Sequence, residues 1–202
     1  MLKILSIMSV CISMLFSSTC SATDSYAVCI NAKGQLGGLL HSFWSKVKTD
    51  PSWGDTSYQN YDPFCQITQF FPAFLCERAY INALKNALND VGGLSQTIQV
   101  QGFYREPFID YLKLQSPFLL ALANAFVYEA NVDQSQVIRP EVFPYYIRLR
   151  NNQFINNPQY QMGLANQLNT QITFNAPFKW SVCLYKKDST GTLYLVAEIK
   201  LN

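Results

Sequence analysis

The chain has 202 residues, 49% hydrophobic and only 14% charged, so we expect one domain or at most two small ones. That balance excludes an intrinsically disordered chain, and nine glycines without a period exclude collagen. The 15 Lys and Arg against 13 Asp and Glu give a formal charge of +2, too small for the basic surface that nucleic-acid binding needs, so we expect no nucleic-acid partner.

The first 22 residues have the pattern of a secretory signal peptide. Lys3 precedes an apolar run from Ile4 to Phe16, and small residues follow up to Ala22. As a helix the run spans roughly 20 Å, less than the ~30 Å hydrocarbon core of a bilayer. We therefore expect cleavage after Ala22, which leaves residues 23–202 as one exported domain without a transmembrane segment.

A lipoprotein cut before Cys20 is the alternative. It normally requires Leu three residues upstream and Gly, Ala or Ser just before the cysteine, where this chain has Ser17 and Thr19. Both alternatives place the protein in the periplasm or outside the cell. The absence of an Asn-x-Ser/Thr sequon favours a bacterial periplasm over a eukaryotic secretory route.

The first half of the mature chain has helical periodicity. Apolar residues at Leu36, Leu40, Phe43 and Val47 predict a helix from Asp24 to about Lys48, weakened by Gly34, Gly37 and Gly38. Residues 49–64 form an aromatic-rich loop with prolines and a glycine. A second helix begins near Gln66 or at Pro72 and ends at Gly92-Gly93.

The second half mixes strands and helices. Residues 97–104 alternate as a strand, and residues 106–130 read as two linked helices that begin at Pro107 and Ser116-Pro117. Residues 139–163 are mostly loop, with a short helix or strand around residues 145–150. Ile172–Phe174 is a candidate strand, and residues 179–185 and 192–201 predict a β-hairpin.

These elements predict an α+β fold. We expect a single domain with N-terminal and central helices and a small antiparallel sheet that ends in a C-terminal β-hairpin. No internal repeat and no long linker divides the chain.

Four cysteines remain after either cut: Cys29, Cys65, Cys76 and Cys183. An even number in an exported chain predicts two disulfides with three connectivities, and we favour Cys65–Cys76, a short local loop, with Cys29–Cys183. A zinc site is the competing interpretation, but there is no second close cysteine pair and no histidine nearby. We therefore expect no metal and no cofactor.

Few residues could carry out catalysis. His41 is the only histidine and lies off the predicted apolar stripe, and the sequence contains no GxSxG elbow. A pair of carboxylates is the one enzymatic alternative: Glu106 and Asp110 lie four apart on a predicted helix, and Glu129 ends the apolar one. The competing interpretation is that these residues cap helices and form ion pairs.

Aromatic side chains are concentrated in two segments. The first segment contains Trp53, Tyr58, Tyr61, Phe64 and Phe70-Phe71, and the second contains Phe143-Pro144-Tyr145-Tyr146. Such residues either fill a core or form an interface, where Trp and Tyr dominate the binding energy. We predict that Trp53, Tyr58 and Tyr61 bind a partner, on a loop held at both ends by proline.

The sequence thus favours an exported, non-catalytic binding or assembly protein of the cell envelope with a protein or envelope partner. The alternative is a carboxylate-dependent hydrolase acting on glycan or peptidoglycan.

Overall fold

The computed structural model describes residues 24–49, 63–106, 109–151 and 177–201. The predicted signal peptide, the aromatic residues Trp53, Tyr58 and Tyr61, and the predicted strand Ile172–Phe174 lie outside these residues. Within the described part of the chain, every helix is too short or too polar to cross a membrane.

A five-stranded antiparallel sheet is built around the first strand. β1 (Ser25–Lys33) pairs along its whole length with β7 (Lys179–Lys187), and on its other side with the short strands β2 (Phe64–Gln66) and β3 (Phe71–Pro72). β7 continues through a turn into the β-hairpin partner β8 (Leu193–Lys200). The N-terminal strand therefore lies in the middle of the sheet.

A second, three-stranded antiparallel sheet contains β4 (Gln99–Glu106), β5 (Ile109–Gln115) and β6 (Tyr145–Asn151), in that order. β6 lies beside β2 of the first sheet. The backbone N–H of Ile138 donates to the carbonyl of Ile67 at 3.0 Å, next to an isolated bridge between Thr68 and Val137. These bonds hold the two sheets side by side.

Two helices pack on each other against the sheets. α2 (Glu77–Asp90) buries one face, with Tyr80, Ala83, Leu84 and Ala87 at the helical spacing of an amphipathic element. α3 (Pro117–Glu129) begins with proline at its first position. The Ser116 hydroxyl donates to the Thr97 carbonyl at 2.8 Å, so it ties the start of α3 to the segment before β4 instead of capping the helix.

The helix α1 (Gly34–Thr49) follows β1 without a loop, and two of its glycines explain how. Gly34 has a φ of +61°, a left-handed conformation that allows the strand to turn into the helix. At Gly37 a Cβ atom would come within 2.6 Å of the Ala32 carbonyl oxygen, so only glycine allows this approach. Gly34 and Gly37, which weaken the helix by propensity, are therefore required by the strand–helix junction.

In the five-stranded sheet, the central strands β1 and β7 are buried on both faces over most of their length. The inner face of the sheet and the three helices form the main core, which includes Tyr26, Val28 and Ile30 of β1. Its outer face carries a separate small cluster of Ala27, Cys29, Cys183 and Tyr185, against which Phe64, Phe70 and Leu193 pack. The alternate residues of β1 and β7 thus face two different environments.

The predicted α+β class and the C-terminal hairpin are confirmed, but two predicted helices are wrong in part. Residues 25–33 form a strand, because both faces of β1 are buried and the apolar residues do not alternate with polar ones. Residues 109–115 also form a strand, paired with β4, so Glu106 and Asp110 lie on neighbouring strands and not one helical turn apart. The second helix begins only at Glu77, after β2 and β3.

Candidate functional site

The two aromatic segments of the sequence meet at one cavity of about 370 Å³. Phe64 comes from the first segment, and Phe143, Pro144 and Tyr146 come from the second. Trp44 of α1 completes the aromatic wall. The structure therefore brings together side chains that are about 80 residues apart in the sequence.

Strand alternation orients this wall. On β2, Cys65 points into the main core, while its neighbours Phe64 and Gln66 line the cavity. On β6, Tyr145 and Ile147 enter the core in the same way, and Tyr146 and Arg148 line the cavity. On each strand, the residues that face the core stabilise the fold, and the alternate residues line the cavity.

The Tyr145 hydroxyl fixes the loop beside the cavity. It donates to the Ile138 carbonyl at 2.8 Å, and Ile138 also lines the cavity. Burial raises the pKa of Tyr145, the negative charges of a Cys65 thiolate and of Glu141 add to this rise, and Arg139 opposes it. The phenol therefore stays protonated and keeps its donor role.

The wall of the cavity is aromatic, with a few polar groups that carry no negative charge. Its described polar residues are Gln66, Gln69 and Arg148. Phe143 is 60% exposed, so a large apolar ring stands at the entrance. A small number of polar groups in an apolar wall is the usual composition of a binding pocket.

Tyrosine rings extend from this cavity across the three-stranded sheet. Tyr146 contacts Tyr111 with ring centroids 5.2 Å apart, and Tyr111 stacks on Tyr104 at 5.8 Å. The Lys113 ammonium lies 5.5 Å from the centre of the Tyr104 ring. This row connects the cavity with a second opening, because Tyr104 lines a larger cleft.

The larger cleft, of about 1040 Å³, lies between β4 and the start of β7. Lys179 is the single charged residue among its described lining residues. The described lining residues are Ser95, Gln96, Thr97, Ile98, Gln99, Val100, Gln101, Tyr104, Pro177, Phe178, Lys179, Trp180 and Leu201. None of them is a carboxylate.

A polar network crosses the outer face of the five-stranded sheet. The Lys33 ammonium lies 2.6 Å from Glu198 Oε1, which also accepts a 2.7 Å hydrogen bond from the Ser181 hydroxyl. These two partners, Lys33 first, hold the pKa of Glu198 below its usual range. A carboxylate held in its charged form is a poor general base at neutral pH, so this network supports the sheet and does not indicate catalysis.

The carboxylates proposed for hydrolysis do not form a described site. Asp110 is buried, and the strand register places it opposite Arg105 on β4 and Arg150 on β6. Glu129 accepts a hydrogen bond from Asn86 of α2 at 2.9 Å. None of the residues described as lining the two cavities above is an aspartate or a glutamate.

No two of the described cysteines, Cys29, Cys65, Cys76 and Cys183, lie at disulfide distance. Cys65 is buried in the main core and Cys76 is exposed before α2, while Cys29 and Cys183 are direct neighbours on β1 and β7. Burial raises the pKa of Cys65 to about 12. Among the described residues, no group of three metal-binding side chains occurs.

Comparison with known proteins shows similarity at the level of fold alone. No protein family and no curated protein sequence matches the chain. The chain is similar to a solved structure of ATU0111 from Agrobacterium tumefaciens str. C58, a conserved protein of unknown function, with a TM-score of 0.51 and 11% identity over 90% of each chain.

Weaker similarity extends to two structures of Usb1 from Kluyveromyces marxianus, one of them with uridine monophosphate. Both have a TM-score of 0.39 and 10% identity over 87% of this chain and 98% of that one.

The sequence predicted the aromatic segments but not the full cavity. Trp44 directly follows Phe43 of the predicted apolar stripe. The helical period does not indicate that Trp44 lines the cavity. Gln66, Gln69 and Arg148 were missed as well, although the alternation of Tyr145 to Leu149 marks Arg148 as facing away from the core.

Proposed function

We propose that the protein is an exported, non-catalytic binding protein of the cell envelope, and that its aromatic cavity receives an apolar side chain of a partner protein. The convergence of Phe64, Phe143 and Tyr146 with Trp44 around one cavity carries this proposal. Export rests on the signal-peptide pattern of residues 1–22.

The size and chemistry of the cavity support a protein ligand. Its volume of about 370 Å³ is near the lower limit of ligand pockets, about 300 Å³, and suits one or two large side chains. Aromatic rings give contact area at a low cost in conformational entropy. Arg148 and the two glutamines offer donors to the carbonyl groups that accompany an inserted side chain.

We do not propose the carboxylate-dependent hydrolase. It needs two carboxyl groups that face each other across a substrate, about 5–10 Å apart. Glu129 instead accepts a hydrogen bond from α2, and Asp110 is buried within the three-stranded sheet.

Photocrosslinking in the cells that make the protein tests this proposal. A photoreactive phenylalanine analogue replaces Phe143 at the entrance of the cavity, or Tyr128 on α3 as the matched control. Tyr128 is 79% exposed and lines neither described cavity, so both variants should fold. We expect a discrete crosslinked partner at position 143 that is absent at position 128.

The same preparation tests export, since the mature protein should begin at Thr23. No adduct at position 143, or the same adducts at both positions, would contradict the binding role. An uncleaved N-terminus would contradict export independently of binding.

A further inference from the structure

Cys29 and Cys183 are direct partners in the centre of the five-stranded sheet. The register of β1 and β7 pairs them residue to residue, with Val28–Leu184 and Ile30–Val182 on either side. Residues that face each other across an antiparallel pair have Cβ atoms about 4.5–5.5 Å apart. Their Cα atoms lie about 4.5–5.5 Å apart, within the range of about 4.4–6.8 Å that a disulfide spans. A disulfide also needs Cβ atoms about 3.5–4.5 Å apart, so a small approach of the two strands must accompany the rotation of the side chains.

The surroundings of the two thiols permit that rotation. Both belong to the small cluster on the outer face of the sheet, together with Ala27 and Tyr185, and both are fully buried. The main core lies on the opposite face and would not be disturbed. Cys183 Sγ lies 3.7 Å from the Ser181 hydroxyl, a weak contact that rotation of the Cys183 side chain would exchange for the S–S bond.

The other two cysteines have no comparable arrangement. Cys65 lies opposite Ile30 in the strand register and faces the main core, whereas Cys76 is exposed at the start of α2. Cys65 and Cys29 are adjacent in the sheet but belong to clusters on opposite faces. Geometry therefore selects one pair among the six that four cysteines allow.

We propose that Cys29 and Cys183 form a cross-strand disulfide when the chain folds in the presence of a disulfide oxidant, and that Cys65 and Cys76 remain thiols. In the first step the thiolate of one cysteine attacks the oxidant and releases one reduced thiol. In the second step the thiolate of the other cysteine attacks the mixed disulfide and releases the second reduced thiol of the oxidant. Two electrons and two protons pass to the oxidant, and one S–S bond joins β1 to β7.

The timing of this reaction follows from burial. Desolvation raises the pKa of Cys29 well above its usual value, and the negative charges of Cys65 and Cys183 thiolates would raise it further. Since the thiolate is the attacking species, the folded dithiol reacts slowly. The bond must form before the outer face is covered, during folding.

The disulfide would also fix the wall of the aromatic cavity. On the side away from β7, Cys29 is the register partner of Gln66, which lines that cavity. A covalent link between β1 and β7 therefore anchors the strand against which β2 is held. The disulfide itself does not depend on the proposed binding function.

Peptide mapping after refolding tests the proposal. The reduced, unfolded mature chain is refolded with oxidised and reduced glutathione, treated with N-ethylmaleimide, and digested without reduction. We expect a linked pair of peptides containing Cys29 and Cys183, labelling of Cys76 in the folded state, and labelling of Cys65 only after unfolding. Four labelled cysteines, or a link that contains Cys65 or Cys76, would overturn the proposal.

Variants provide a second measurement. Reductant should lower the thermal midpoint of the wild type and of Cys76→Ser, and should leave that of Cys183→Ser unchanged. If Cys183→Ser does not fold, the wild type and Cys76→Ser still test the proposal. A thermal midpoint that reductant leaves unchanged in both proteins would contradict the disulfide. Folded reduced protein transferred to glutathione should form the link at least tenfold more slowly than the refolding chain.

Discussion

Asn31 and Tyr185 are joined across the buried outer face of the five-stranded sheet. The Asn31 amide nitrogen donates to the Tyr185 hydroxyl at 2.8 Å, and Asn31 is fully buried. The amide oxygen has no partner among the described residues. One hydrogen bond therefore offsets the burial of an entire side-chain amide.

Replacing Tyr185 with phenylalanine tests this bond. Tyr185→Phe leaves the buried Asn31 amide without its acceptor, so we expect a loss of about 1–3 kcal/mol in the free energy of unfolding. Urea titration followed by circular dichroism measures the loss. Tyr194→Phe is the matched control, because its hydroxyl bonds to Asp188 at the exposed hairpin turn and should cost less than about 1 kcal/mol. Equal losses in the two variants would contradict the importance of the buried pair.

Two neighbouring glycines of α1 should respond oppositely to alanine. In Gly37→Ala the new methyl group meets the Ala32 carbonyl, so the strand–helix junction must shift, and we expect a loss of about 1–3 kcal/mol. At Gly38 a Cβ atom meets nothing within 4 Å, so Gly38→Ala should gain about 0.5–1 kcal/mol from helix propensity. Thermal unfolding of both variants gives the comparison, and a stabilised Gly37→Ala would refute the close approach.

The ion pair of Lys33 and Glu198 predicts a pH dependence of stability. Its partners lower the folded-state pKa of Glu198, so the pair stabilises the fold above the unfolded pKa of about 4.3. This contribution is lost as the pH falls through the folded pKa, and for a partly exposed pair it amounts to about 1 kcal/mol or less.

Glu198→Gln should therefore lose less stability than the wild type between about pH 6 and pH 3. Urea titrations at both pH values measure this difference. Asp90→Asn, a change at an exposed carboxylate at the end of α2, serves as the control and should follow the wild type. A wild-type pH profile for Glu198→Gln would show that the ion pair contributes nothing.

The indole N–H groups of Trp44 and Trp180 are buried and have no acceptor among the described residues. An unsatisfied donor costs about 1–3 kcal/mol, so Trp180→Phe removes a penalty while it gives up part of the ring contacts. We expect Trp180→Phe to stay within about 1.5 kcal/mol of the wild type and Trp180→Ala to lose about 3–5 kcal/mol. Denaturant midpoints of the two variants measure these losses. Comparable losses in Trp180→Phe and Trp180→Ala would mean that the Trp180 indole N–H has an acceptor in the folded protein.

The sequence predicted the elements that have a clear period. α2, α3, β4 and the C-terminal hairpin follow from helical or alternating spacing, with Pro117 at the start of α3. β1 was missed because its outward residues Ala27 and Cys29 are also buried, so no alternation marks it as a strand. In the sequence, Pro107 indicates the start of a helix. Residues 109–115 form the strand β5 because they pair with β4 and β6.

The candidate site shows a similar limit. Local composition identified both aromatic segments, but their meeting depends on β2 lying beside β6, a tertiary contact without a sequence signal. The short loop between Cys65 and Cys76 favoured that pair in the sequence and left Cys29 with Cys183, whereas the structure places Cys29 and Cys183 opposite each other in the strand register. Cys65 and Cys76 are close in sequence, yet burial in the core separates one from the other.

The pairing of β1 with β7 also determines the order in which the chain can fold. Asn31 and Tyr185 are separated by 154 positions, so the central strand of the sheet finds its main partner only when nearly the whole chain is available. Such non-local pairing slows folding, because the entropy of closing the large loop is lost before the contact forms. In a ribosome-bound nascent chain, β1 could pair with β2 and β3, but its other edge would stay unpaired until β7 emerges. The appearance of β7, and not of any earlier segment, is therefore the event that pairs the central strand along its whole length.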